Sequence, residues 1–158
     1  MEHSSDRFKA AFRRYPTGVA VVSAPGPVGL TVSSVSSVSA DPPALSFSVL
    51  DSPSGRAIVG APSLVVNLLG TDHADLAGDF ARSGGPRFTP EQGWSTLPTG
   101  EPFLAGALAS LRVEPLHQVR VGGSTVIVAA VTEVLLGPVS GRLVHHDRQF
   151  ITTHSEGH

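Results

Sequence analysis

The chain has no cysteine among its 158 residues. This absence excludes disulfide scaffolds, thiolate metal sites and cysteine nucleophiles. The sequence also has no uninterrupted apolar run near the ~18 residues that a membrane-spanning helix needs. Residues 1–6 lack a basic segment that leads into an apolar one, so a signal-peptide pattern is missing. We therefore expect a cytoplasmic protein without a membrane partner.

Charge is scarce as well. Charged residues make up 15% of the chain, whereas ~25% is usual for soluble proteins. A surface with so few charges indicates that part of it faces another protein, and we expect a homodimer. The net charge of −2 offers nothing that would attract nucleic acid or an anionic membrane. The length predicts a single domain over residues 1–158.

Motifs of protein-based catalysis are missing too. The sequence has no Gly-x-Ser-x-Gly, His-Glu-x-x-His, Walker or Gly-x-Gly-x-x-Gly pattern. Such an absence is expected where a cofactor carries the chemistry. His145 and His146 are adjacent in a predicted strand, where neighbours point to opposite faces. They therefore do not predict a metal site.

Short hydroxyl side chains, by contrast, are abundant between residues 29 and 40. Six of these twelve positions are Ser or Thr, and Lys, Arg and Glu are absent. The apolar residues keep a rough period of two, which predicts one continuous strand that Asp41-Pro42-Pro43 ends. A row of short hydroxyls suits a flat polar ligand that lies close against the backbone. The alternative is a serine-rich edge strand beneath a covering loop.

The rest of the pattern consists of many short strands and few helices. We predict an N-terminal helix over residues 6–14, capped by Ser4 or Ser5, a barrel over residues 19–150 and a frayed tail over residues 152–158. The predicted strands are 19–24, 44–50, 63–69, 105–113, 125–136 and 142–146, and the predicted inner helices are 52–59 and 74–82. This arrangement indicates a closed or nearly closed antiparallel barrel. Strand 125–136 is apolar on both faces, which predicts burial on both sides, one of them in a dimer.

Two further segments carry polar groups suited to a ligand. Asp51, Ser52, Ser54 and Arg56 open a helix, where free N–H groups bind phosphate. An ordinary capped helix explains the same residues, and the acid argues against an anion. Asn67 lies inside an apolar strand, where its amide needs either structural partners or a ligand.

These motifs, taken in order, resemble the flavin reductase-like family, the small reductase components of two-component flavin monooxygenases. The resemblance rests on Leu30-Thr31-Val32-Ser33-Ser34, on Ser37-Val38-Ser39 and on Asp41-Pro42-Pro43. It continues through residues 12–22 upstream and through residues 65–69, 76–81, 104–109 and 143–150 downstream. The motifs together span about residues 6 to 151, nearly the whole chain.

The resemblance implies a mainly β (α+β) fold, a Greek-key split barrel with a few short helices that dimerises and binds flavin at the subunit boundary. It implies an oxidoreductase in which NADH or NADPH reduces FMN, with FAD as the alternative flavin. The reduced flavin would then pass to a flavin-dependent monooxygenase partner.

The same resemblance implies which residues form the site. Hydroxyls of the serine-rich strand would bond the ribityl chain or phosphate, and the backbone of residues 37–40 would line the isoalloxazine edge. Arg82 and Arg87 are interpreted as solvated, although the family often has a basic residue near Phe88 that reaches a phosphate. The predicted flavin set is Thr31, Val32, Ser33, Ser34, Ser37, Val38, Ser39, Ala40, Asp51, Ser52, Ser54, Arg56, Asn67, Arg87, Arg148 and Phe150, with Ser124 and His146 on the nicotinamide side and no metal ligand.

One departure concerns that nicotinamide side. The family commonly has Gly-Asp-His where this chain has Gly122-Gly123-Ser124. Two interpretations are open. Either Ser124 replaces the missing histidine as a hydrogen-bond donor, or the chain binds flavin without efficient reductase turnover, as a carrier, a sensor or an adapted enzyme. A third interpretation is a barrel domain that serves as an interaction module and binds no cofactor.

Overall fold

The computed structural model describes residues 4–153, and most of its regular structure is β. The helices are α1 (Ser4–Arg13), α2 (Pro53–Gly60) and α3 (Ala74–Ala81). The strands are β1 (Thr17–Gly18), β2 (Ala20–Ala24), β3 (Val28–Val32), β4 (Ser36–Ala40), β5 (Pro43–Leu50), β6 (Leu64–Leu68), β7 (Trp94–Thr96), β8 (Pro102–Leu104), β9 (Ala109–Val121), β10 (Ser124–Leu136), β11 (Arg142–His146) and β12 (Gln149–Thr153). The predicted mainly β class is confirmed.

Seven strands form one antiparallel sheet in the order β3-β2-β6-β9-β10-β5-β4. Its two edge strands, β3 and β4, are joined by residues 33–35 alone. A connection this short forces the sheet to curl until its opposite edges come close. The Ser34 hydroxyl holds the closure, because its oxygen accepts a hydrogen bond from the Ser48 amide at 2.8 Å. The sheet is therefore a nearly closed barrel, as predicted.

The barrel is filled by one apolar cluster and covered by a second. Inward side chains from β2, β5, β6 and β10, among them Phe47 and Ile127, form the first cluster, and Ile58 of α2 closes it. The second cluster lies on the outer face of β2 and β6, where α3 and β8 contribute Phe80 and Leu104. β2 is consequently buried along its whole length. Two clusters on opposite faces of the same strands fix the position of α3 against the barrel.

The serine-rich segment differs from its prediction. It forms two strands, β3 and β4, which lie at opposite edges of the sheet, and residues 33–35 lie outside both. A single straight strand cannot cross from one edge to the other, so the chain leaves the ladder at Ser33. The prediction of one continuous strand is wrong at this point.

The strand predicted over residues 105–113 is displaced. Residues 105–108 form a turn after β8, and β9 starts at Ala109 and continues to Val121. The ladder shifts register where Pro115 faces Ala129 and His117 faces Val128, which leaves Leu116 as an extra residue. A bulge is one of the few sheet positions that tolerates proline, because no ladder N–H is needed there.

Within one subunit, residues 125–136 are buried on one face along part of their length, so the predicted burial of the other face in a dimer stays a prediction. Ile127 and Ala129 are fully buried against the first cluster. The far half of β10 is open, with Val134 exposed by 53% and Leu136 by 84%. Burial of the second face therefore needs another molecule.

The chain ends also differ in detail from the prediction. α1 starts at Ser4, so Ser5 lies inside the first turn and not before it. Residues 152 and 153 of the predicted tail belong to β12, which pairs with β11, and residues 154–158 of that tail lie outside the described residues. Within residues 4–153, no helix has the length and apolar character that crossing a membrane requires.

Candidate functional site

A cavity of about 630 Å³ opens where the sheet edges meet. Three segments line it: residues 30–34 at the end of β3, residues 48–50 and 52–54 where β5 leads into α2, and residues 80–84 with Arg87 at the end of α3 and in the loop after it. Its polar lining is almost entirely short hydroxyls, from Thr31, Ser33, Ser34, Ser48, Ser52, Ser54 and Ser83. The serine-rich segment thus meets the predicted helix start in one place.

Part of this hydroxyl set is already engaged in the protein. Thr31 donates to the Ala77 carbonyl at 2.7 Å, which ties β3 to α3. Ser52 accepts from the Gly55 amide at 3.0 Å and caps α2, and Pro53 occupies the first helical turn. A Cβ at Gly55 would collide with the Leu50 carbonyl, so only glycine permits this tight turn. The sequence prediction of a capped helix is confirmed here.

The remaining hydroxyls are free. Besides Thr31, Ser52 and the Ser34 hydroxyl that bonds Ser48, the set has Ser33, Ser48, Ser54 and Ser83, whose side chains make no hydrogen bond to protein within residues 4–153. They come from all three lining segments and share one cavity. Free hydroxyls grouped in this way can bond a ligand that carries several oxygens.

Two arginines border the cavity and differ in their availability. The guanidinium of Arg87 donates to the carbonyls of Gly29, Phe80, Arg82 and Gly85 and lies 5.4 Å from the centre of the Phe80 ring. Arg87 therefore braces the loop after α3 and is not the solvated residue expected from the sequence. Within residues 4–153, the Arg82 side chain pairs only with Asp79, at 2.8 Å, and it is 61% exposed. Its remaining donors are available to an anion.

The lining fits a phosphorylated, hydroxyl-bearing ligand. Thr31, Val32, Ser33, Ser34, Ser52, Ser54 and Arg87 of the predicted set all border the cavity. Free hydroxyls, the amide end of α2 and the open side of Arg82 supply neutral and cationic donors suited to ribityl and phosphate oxygens. The residues present are thus compatible with FMN.

Other members of the predicted set lie elsewhere. Ser37, Val38, Ser39 and Ala40 are exposed on edge strand β4 and do not line the cavity. They follow the chain across to the opposite edge of the sheet. The structure of this subunit therefore does not bring residues 37–40 to the lining, and their contact with an isoalloxazine edge stays a prediction.

Asp51 and Arg56 line a second, smaller cavity next to the first. They form an ion pair at 2.9 Å, and the two cavities have Leu50 in common. Ser124 stands opposite Leu50 in the β10–β5 ladder. The nicotinamide-side candidate therefore borders the boundary between the two cavities.

Asn67 has a structural role. It is fully buried, and its Nδ2 donates to the Val21 carbonyl and the Ser23 hydroxyl at 2.9 and 3.0 Å. Its Oδ1 accepts from the Leu104 amide at 2.9 Å and the Ser110 hydroxyl at 3.0 Å. Every donor and acceptor of the amide is used, so the prediction of a ligand contact is corrected.

The β11–β12 hairpin carries the last three candidates away from the main cavity. His146 borders a separate cavity with Arg13 and Arg14. Arg148 is exposed at the left-handed turn, and Phe150 packs against the second apolar cluster. None of the three lines the main cavity of its own subunit, so the predicted contacts of Arg148 and Phe150 with flavin and of His146 with nicotinamide stay predictions.

Several lining residues were not predicted. Phe80, Ser83 and Ser48 border the cavity, and Arg82 was interpreted as solvated. The loop of residues 82–87 holds a Gly-Gly-Pro turn between two basic residues, which was the available signal for a ligand-facing loop. Only the packing of α3 on the barrel brings it to the β3 edge.

Comparison with known proteins identifies the family of the chain. The chain matches the flavin reductase like domain over residues 12–154. It is 44% identical over 131 residues to the NADH:FMN oxidoreductase of Rhodococcus erythropolis, a match that covers 80% of this chain and 68% of the relative.

Solved structures show the same fold. BorF, the flavin reductase component of a bacterial two-component tryptophan halogenase, aligns with a TM-score of 0.86 at 27% identity, covering 97% of this chain and 100% of that one. The Streptomyces globisporus NADH:FAD oxidoreductase, in complex with NAD and FAD fragments, aligns with a TM-score of 0.86 at 26% identity, covering 96% and 94%. The chain belongs to the flavin reductase like domain family.

Proposed function

We propose that this protein is an NADH:flavin oxidoreductase that reduces FMN. The observation that carries the proposal is the hydroxyl-lined cavity, in which free serines from three segments face one space beside Arg82. The Rhodococcus erythropolis relative, an NADH:FMN oxidoreductase by name, supports the choice of reaction.

Bound flavin would supply the redox chemistry by accepting a hydride from the nicotinamide. The residues of this chain would bind and orient. Ser33, Ser54 and Ser83 would donate to ribityl and phosphate oxygens, while Arg87 keeps the loop after α3 in place. Rate would come from holding the two rings in a reactive arrangement, with no side chain acting as acid or base.

NADH is the proposed hydride donor, on the strength of that relative, and NADPH is the alternative. FAD is the alternative flavin, because a structural neighbour is an NADH:FAD oxidoreductase. We further propose a cytoplasmic protein that passes reduced flavin to a flavin-dependent partner enzyme. BorF, the reductase component of a two-component system, supports that role.

The active form is proposed to be a homodimer. Exposed apolar side chains are distributed along the β9–β10 hairpin and beside it, at Leu50, Leu116, Val119, Val121, Val134 and Leu136. The positions predicted to cover the flavin, His146, Arg148 and Phe150, lie outside the main cavity of their own subunit. A second copy that completes the site would account for both observations. Light scattering of a stable monomer at micromolar concentration would contradict this form.

Anaerobic mixing tests the reaction directly. Flavin-loaded protein should lose its visible flavin absorbance with NADH faster than with NADPH. The Gly122-Gly123-Ser124 sequence favours one competing function, flavin binding without turnover, because the imidazole that the family commonly has is missing. A flavin-loaded protein that stays oxidised under excess NADH and NADPH would establish that alternative and end the reductase proposal.

A further inference from the structure

The smaller cavity beside the main one contains an unusual charge arrangement. Arg56 of α2 and Arg120 of β9, far apart in sequence, both approach Asp51, with nitrogen–oxygen distances of 2.9 and 3.8 Å. The cavity measures about 230 Å³. Two guanidinium groups and one carboxylate leave the cluster with a net positive charge.

The backbone fixes this arrangement. The Asp51 amide donates to the Gly123 carbonyl at 2.8 Å, which pins the start of α2 to the β9–β10 turn. Arg120 faces Thr125 in the β9–β10 ladder, and Thr125 faces Val49 in the β10–β5 ladder. Sheet register therefore sets the position of Arg120 beside the flavin cavity, and folding alone brings it to Arg56.

The guanidinium donors are largely free. Within residues 4–153, Arg120 makes no hydrogen bond through its side chain, and its contact with Asp51 is too long to be one. Arg56 uses one nitrogen. The side chains of Arg56 and Arg120 are 63% and 72% exposed, and exposed ion pairs contribute little to stability. An incoming dianion can therefore replace the carboxylate as their partner.

We propose that Asp51, Arg56 and Arg120 form a diphosphate subsite for a dinucleotide. The inference rests on the proposed function and reassigns Asp51 and Arg56 from the flavin's own phosphate. The main cavity already offers free hydroxyls and Arg82 to that phosphate. Leu50 lines both cavities, so a diphosphate in the smaller one would lie next to a flavin in the larger one. Planar guanidinium groups suit a diphosphate, which two arginines can hold in bidentate contacts.

Two ligands carry this diphosphate, NADH and FAD, and both contain ADP. The first experiment is calorimetric titration of the FMN-loaded protein with ADP. We expect Arg56→Ala and Arg120→Ala each to weaken ADP binding roughly tenfold, the loss of one charge-assisted contact. Arg142→Ala, an exposed strand arginine that lines none of the three cavities described, is the matched control and should not change it.

The change in ADP affinity caused by Asp51→Asn distinguishes a ligand subsite from a structural ion-pair cluster. The amide leaves the helix start in place but no longer competes for the arginines, so ADP should bind several-fold more tightly. If the ion pairs were purely structural, Asp51→Asn would not raise the affinity for ADP. Rising salt should weaken ADP binding to the wild type more steeply than to the Arg56→Ala/Arg120→Ala double variant.

Steady-state and equilibrium measurements then show whether the subsite binds the diphosphate of NADH or that of FAD. A raised KM for NADH with unchanged kcat and unchanged FMN affinity assigns the subsite to the nicotinamide nucleotide. A loss of FAD affinity with unchanged FMN affinity and unchanged KM assigns it to FAD. Equal ADP binding in wild type and double variant, absent ADP binding in the wild type, or an equal loss of FMN and FAD affinity would overturn the subsite. Failure of the wild type to reduce FMN at saturating NADH counts instead against the proposed function.

Discussion

Two groups of polar side chains in this barrel differ in whether their hydrogen bonds are complete. The group around Asn67 is buried, and its amide uses every donor and acceptor it has. The serines of the main cavity are as polar, yet Ser33, Ser54 and Ser83 have no partner in the described protein. Buried polar groups are normally paired, so the Asn67 group stabilises the fold, whereas the exposed hydroxyls of Ser33 and Ser83 can exchange water for a ligand.

Hydrogen-bond partners therefore distinguish structural polar residues from those available to a ligand, which residue type alone does not. Asn67 and Ser33 both interrupt apolar or strand-like sequence, and both were interpreted as ligand contacts from the sequence. Their neighbours separate them, because Asn67 lies between β2 and β9 inside the sheet while Ser33 lies where the sheet edges meet. The following predictions test the criterion, starting with the largest expected effect.

Asn67→Leu should be the most damaging of these changes. It leaves the buried Leu104 amide without its partner and removes one of the two acceptors of the Ser110 hydroxyl, which keeps the Leu104 carbonyl at 3.2 Å. We expect a loss of about 3–5 kcal/mol in the free energy of unfolding, measured by urea denaturation. Flavin affinity per folded molecule should stay unchanged. A loss below about 1 kcal/mol would show that the network does not hold these strands together.

Ser33→Val with Ser54→Ala should act in the opposite way. Both hydroxyls are free in the protein, so unfolding should change little. Each removed donor leaves a ligand oxygen unpaired, and flavin affinity should fall at least about tenfold by fluorescence titration. Ser95→Val with Thr96→Ala is the matched control, because these exposed hydroxyl residues of β7 line none of the three cavities described. Equal effects of the two pairs on flavin affinity would remove the distinction between the cavity lining and other exposed hydroxyls.

Much of this architecture can be predicted from sequence. Alternating apolar residues at Leu45, Phe47 and Val49 indicate β5, and Ser52 with Pro53 marks the start of α2, because local periodicity and capping determine both. The main cavity can also be predicted in part, since some of its hydroxyl residues are close together in the sequence as well as in space.

The rest depends on contacts between distant residues, which one sequence does not display. Nothing local distinguishes Ser33, at the break between β3 and β4, from Ser37, on the edge strand. The bracing role of Arg87 depends on four carbonyls, most of which a turn places around it. Arg120 meets Asp51 only through the register of β9 and β10.

Ser124 tests the comparison between lining and non-lining polar residues at the border of the main cavity. Its partner in the ladder, Leu50, lines both cavities, whereas Ser124 itself lines neither. Ser124→Ala should therefore lower the rate of flavin reduction only about two- to tenfold, the worth of one neutral hydrogen bond. Ser124→His should be tolerated or should raise the rate, since the adjacent Gly123 has open space around it. Stopped-flow reduction by NADH measures both, and a loss beyond a hundredfold in Ser124→Ala would mean that this hydroxyl is essential.

His73 tests whether an unpaired polar atom by itself marks a ligand site. Its Nδ1 is buried without a hydrogen-bond partner in the described structure, yet His73 lines none of the three cavities described. Burial lowers the pKa of His73, and the Asp72 carboxylate opposes that shift only in part. The unfolded chain therefore binds more protons than the folded one as pH falls below about 6.5, and stability falls with it.

His73→Gln should remove this part of the pH dependence. The free energies of unfolding of wild type and variant should run parallel above pH ~7 and diverge below pH ~6.5, where only the wild type has to protonate this imidazole on unfolding. The effect should be smaller than that of Asn67→Leu, because one half-buried group is involved. Flavin affinity should not change, since the side chain faces no cavity. Identical pH profiles would contradict the lowered pKa, and a loss of flavin affinity would show that an unpaired atom can mark a binding site even without a cavity beside it.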